Sequence, residues 1–150
     1  MTRHTNDCEC AGCRDGIKAV QDRQREMMEK HGWIVHYVTH DHDCSPTGVN
    51  IHTHGLPEKF GHLDIQIVCP LSQMVAHGVL YNCVAKIKEG KTFVPGEVVE
   101  GLVTNGYKVK FVQAREMGRD VLRLIIPDKS NNVERGDLTH PFAIQYEGTI

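Results

Sequence analysis

The sequence predicts an α+β domain: a largely antiparallel sheet with an N-terminal helix and a second, central helix packed on it. Three observations carry that expectation. Two segments space their apolar residues at helical period, one near the start and one mid-chain. Several β-branched and aromatic runs of strand length lie between and after them. The loops joining those runs are short, which suits hairpins rather than crossover units and leaves the helices to one side of the sheet. The chain has 150 residues, the size of one domain with one core. That domain is expected over residues 14–150, after a Cys-rich segment at 1–13.

The first helix is expected from Arg14 to His31, with Ile17, Val20, Gln24, Met27 and Met28 near one face and Gly32 as its stop. Trp33 to Thr39 reads as a strand. A loop follows through His40, His42, Cys44 and Pro46. A second strand takes Val49 to His54, with Val49, Ile51 and Thr53 facing one way and Asn50, His52 and His54 the other. Gly55 to Asp64 is read as a turn, and Ile65 to Cys69 as a third strand. The second helix should start at Ser72 as N-cap and end before Gly90, burying Ala76, Leu80, Cys83, Val84 and Ile87. Residues 96–113 admit two readings: a hairpin about Asn105-Gly106, or a short helix from Glu97 to Val103. Tyr107 to Val112 and Val121 to Ile126 are strands, and Arg115, Glu116, Arg119 and Asp120 between them read as a solvated, mixed-charge loop.

Seventeen basic against nineteen acidic side chains leave a net charge of -2. That excludes a surface dedicated to neutralising phosphate backbones, so no nucleic-acid partner is expected. No apolar run approaches the ~20 residues of a membrane span. The polar first residues lack the basic start and apolar middle of a secretion signal. A cytoplasmic protein without a membrane partner is expected, with a small molecule as its possible ligand.

Gly32-Trp33-x-Val35, His52-Thr53-His54-Gly55-Leu56, Phe60-Gly61-His62, Lys88-x-Gly90, Pro95-Gly96-Glu97, Gly106-Tyr107-x-Val109-x-Phe111, Pro127-Asp128 and Pro141-Phe142 occur in one order. That order resembles a bacterial family known as domain of unknown function 4262. The resemblance covers about residues 32–142 and implies one domain over that span. The family brings no agreed activity with it.

The chain holds six Cys and ten His, and two groups of them have metal-ligand character. The first is His4-x3-Cys8-x-Cys10-x2-Cys13. Tetrahedral zinc takes about four such ligands, with thiolates at about 2.3 Å. The spacing is too tight for an ordinary disulfide framework. A reduced segment with incidental thiols, or a redox pair, are the other readings. The second group is His40-x-His42-x-Cys44, then His52-x-His54, with Glu58 and His62 after it. Residues two apart on a strand share a face, so His52 and His54 can chelate one ion, and His40 and His42 would join them if the two strands pair. The plain alternative puts His52 and His54 on a solvent face.

His52-Thr53-His54-x3-Glu58 matches a fragment of the cupin metal signature, but the glycine spacing and the later His are wanting. His52-Thr53-His54 puts Thr in the wrong place for a His-x-Thr motif and has no second copy, so a two-histidine phosphoesterase is rejected. A phosphate loop, a nucleophile elbow and a His-Glu-x2-His helix are also absent. Three functions are therefore expected in order: a zinc-binding domain using Cys8, Cys10 and Cys13, or His40, His42, His52 and His54, or both; a metal-dependent hydrolase built on the four histidines; and a non-enzymatic module that binds or sequesters a nucleotide-like ligand.

Overall fold

The computed structural model describes residues 11–150, with side chains described from Gly16 onward except that of Ile17. Helix α1 spans Ala11–His31. It begins three residues before the expected start and ends where Gly32 adopts φ 77°. Strands β1 (Ile34–Val38) and β2 (Asn50–His54) form an antiparallel pair. The expected turn between Gly55 and Asp64 contains a short helix, α2 (Leu56–Phe60). Gly55 there has φ 109°, and a Cβ on it would collide with the Gly32 carbonyl oxygen. Only glycine lets β2 end this close to the exit of α1.

Strand β3 (Ile65–Ile67) is followed by α3 (Gln73–Lys88), whose N-cap Ser72 accepts a hydrogen bond from the Val75 N–H. All five apolar residues expected on the inner stripe of α3 are buried, and Val79 joins them. Residues 98–116 resolve as the hairpin, with β4 (Val98–Glu100) antiparallel to β5 (Lys108–Glu116). Strand β5 runs on through the expected mixed-charge loop and turns at Met117-Gly118 into β6 (Arg119–Ile125). A 3-10 helix at Phe142–Tyr146 closes the described chain.

The six strands lie in the order β1-β2-β3-β6-β5-β4, antiparallel except where β3 meets β6. Sheet parity then sorts the side chains. Ile51, Ile65, Ile67, Phe111, Leu122 and Leu124 bury one face against α3, with Trp33, Leu56 and Phe93 completing the core. The other face is half covered by the C-terminal segment, where Leu138 and Tyr146 pack on Ile125. Its uncovered half carries the polar side chains. No helix among the described residues is long and apolar enough to cross a membrane.

Candidate functional site

Strand register aligns His36, His52, Gln66 and Arg123 in one row across β1, β2, β3 and β6. A row of four polar residues through the middle of a sheet needs internal partners, because burial without them is costly. Those partners form one continuous network. Arg123 Nε donates to Gln66 Oε1 at 2.9 Å, and Gln66 Nε2 donates to Asn50 Oδ1 at 3.1 Å. Asn50 Nδ2 donates to Asp41 Oδ2 at 2.8 Å, and Asn50 Oδ1 also meets His52 Nδ1 at 3.1 Å.

The polarity of this chain is fixed from its ends. A guanidinium only donates, so Gln66 presents oxygen to Arg123 and nitrogen to Asn50. A carboxylate only accepts, so Asn50 presents nitrogen to Asp41. Asn50 Oδ1 is therefore an acceptor, and His52 Nδ1 must carry the proton. Burial pushes the His52 imidazole down to about 4, against the opposing pull of Glu116, so the ring is neutral at pH 7. Its Nε2 is left as a bare lone pair, and it faces Glu116 Oε1 at 3.7 Å.

Two acceptors thus point at each other in a site where His52 and Glu116 are each 4% exposed. Glu116 is held from behind: Arg119 Nε donates to its Oε2 at 2.7 Å, while Arg119 also reaches Asp64 and the Thr53 carbonyl. His36 stands over the same spot, with its ring centroid 5.2 Å from that of His52 and 5.4 Å from that of His54. His36 Nε2 is buried with no hydrogen-bond partner, and desolvation, followed by repulsion from His54, lowers its pKa. His54 is exposed and completes the cluster, 6.2 Å from His52.

A sequence profile for one family matches residues 27–122. The chain belongs to the family described as domain of unknown function (DUF4262). No curated protein and no solved structure matches the chain. The DUF4262 span holds the entire cluster of His36, His52, His54, Glu116 and Arg119. Arg123 falls just outside it.

The expected face-sharing of His52 and His54 is present, but β2 lies between β1 and β3, and only His54 is exposed. The third imidazole is His36, in place of His40 and His42. His40 is exposed at φ 62°, and His42 rests on Gly48 and lines a cavity with Cys44. These four expected ligands do not converge, and among the described residues no group of three or more His, Cys, Asp or Glu side chains is placed so that it could hold a metal ion. Cys8 and Cys10 lie outside the described residues, and Cys13 has only its backbone described, within α1. Sequence reasoning missed His36 although parity offered it, since it faces away from Val35 and Tyr37 in a recognised strand. It also read Glu116 and Arg119 as solvated, where the two-residue turn at Met117-Gly118 sets them opposite each other.

Proposed function

We propose that this DUF4262 domain binds one divalent transition-metal ion of the zinc type through His36, His52 and His54, with Glu116 as the fourth group. The observation that carries the reading is the enforced tautomer of His52: a neutral imidazole held by Nδ1–H, its Nε2 lone pair aimed at a carboxylate. That is how proteins orient a metal-binding histidine from behind, and Arg119 does the same for Glu116. Two donors at about 2.0–2.1 Å from one ion lie about 3.4 Å apart across a tetrahedral angle, close to the 3.7 Å between His52 Nε2 and Glu116 Oε1. The imidazoles of His36 and exposed His54 would have to turn toward this pair for the four groups to converge.

A hydrolytic variant has its own observation. Glu116 already spends one oxygen on Arg119, and if it keeps the other off the metal, a water would hold the fourth position beside a carboxylate base.

Chelator-treated protein should take up about one zinc per chain at this site by calorimetry and elemental analysis. Changing Cys8, Cys10 and Cys13 to Ser in the full chain should leave that equivalent in place. Changing His36 and His52 to Ala should remove it. Zinc lost with the thiols and retained without the imidazoles would move the metal to the N-terminal segment and refute the assignment.

A further inference from the structure

Arg123 does more than set the polarity of the network. It is 2% exposed, in a strand otherwise buried among apolar side chains. Its Nε is used by Gln66, and its Nη1 donates to the carbonyl oxygens of Gln145 at 2.8 Å and Glu147 at 2.6 Å. Nη2 makes no hydrogen bond among the described residues, and no carboxylate pairs with the guanidinium there. Burial pushes its pKa down to about 10, which still leaves a full positive charge at neutral pH. A buried cation is ordinarily matched by an anion, because its lost hydration must be replaced.

The space for that anion exists. Arg123 forms part of the wall of a cavity of about 240 Å³, beside the Cys44–Pro46 loop, with Arg115 and His42 also lining it. Asp43 and Glu147 line it as well, but both are exposed, as is Arg115, which stands 3.4 Å from Asp120, and water screens all of these far better than it screens Arg123. With Nε–H and both Nη1 hydrogens committed, the two Nη2 hydrogens remain as charge-assisted donors suited to an oxyanion oxygen.

We infer that this cavity is an oxyanion subsite in which Arg123 Nη2, assisted by Arg115, takes the phosphate or carboxylate group of a small ligand. It requires no metal. It also lies two strand spacings from His52, about 10 Å, with Gln66 between them.

The test uses full-length, chelator-treated protein labelled with nitrogen-15 at arginine. Inorganic phosphate and acetate are titrated separately, each against sodium chloride at equal ionic strength. The expected result is a saturable shift of the Arg123 side-chain signals with one or both oxyanions and none with chloride. Which of the two saturates assigns the group. Arg115→Gln should weaken binding about threefold, and Arg123→Lys, which keeps the charge but loses the Nη2 donors, about tenfold or more. Unmoved Arg123 signals, or a linear drift shared with chloride, would overturn the inference without needing any variant to fold. A parallel titration of zinc-loaded protein separates the two sites. A phosphate response that appears only with zinc and leaves Arg123 unmoved would place the anion on the metal, and the subsite would be rejected while the metal reading stood.

Discussion

At the scale of single residues, the decisive one is Asn50, because its amide translates the direction of the Arg123 and Asp41 charges into the tautomer of His52. Metal-free protein should show His52 protonated on Nδ1 by nitrogen-15 couplings across the ring; a proton on Nε2 would break the argument at its first step. Asn50→Leu should lower zinc affinity about 10- to 100-fold, the usual scale for losing a group that orients a ligand. It should also cost roughly 1–3 kcal/mol of stability, since Gln66 and Asp41 lose a buried partner. Calorimetry for zinc and urea unfolding measure the two effects separately. The residue scale is also where the sequence was least legible. The alternation of β2 places Asn50, His52 and His54 on one face at sight. Nothing in the order of residues says that Asn50 turns its oxygen toward His52, because that depends on Arg123, 73 positions further along the chain.

At the scale of elements, legibility followed local signals. The cap at Ser72 and the apolar stripe of α3 are short-range patterns, and both read correctly. The helix α2 is only five residues long, too short to show a period, and it was read as turn. In sequence the β5–β6 hairpin looks like a loop of charges: Arg115 and Asp120 are exposed as expected, but Glu116 is buried and Arg119 half-buried once the strands pair. Gly55 tests how tightly these elements are joined. Gly55→Ala would force a side chain into a left-handed conformation against the Gly32 carbonyl, so it should destabilise the fold by roughly 2 kcal/mol or more. The same change at Gly61, which is also left-handed but has open space around it, should cost about 1 kcal/mol, for backbone strain alone. Equal urea midpoints for the two variants would show that β2 and α1 are not held at this close approach.

At the scale of the whole molecule, the buried imidazoles make folding sensitive to acid. His36, His52 and His77 all have pKa values lowered by burial, His52 to about 4. In the unfolded chain each titrates near 6.5, so between that value and the folded one the unfolded state holds more protons, and stability falls as pH falls. His52 alone should remove roughly 2 kcal/mol between pH 7 and pH 5. Zinc bound at the proposed centre would be lost over the same range, because protons and zinc compete for the same lone pairs. The two contributions separate by chelation. Metal-free protein should lose urea stability from pH 7 to 5, and zinc should add a further increment that is large at pH 7 and shrinks toward pH 5. A metal-free protein whose urea midpoint stayed level across that range would mean the imidazoles are hydrated in the folded chain. The enforced lone pair at His52, and with it the proposed metal centre, would then have no physical basis.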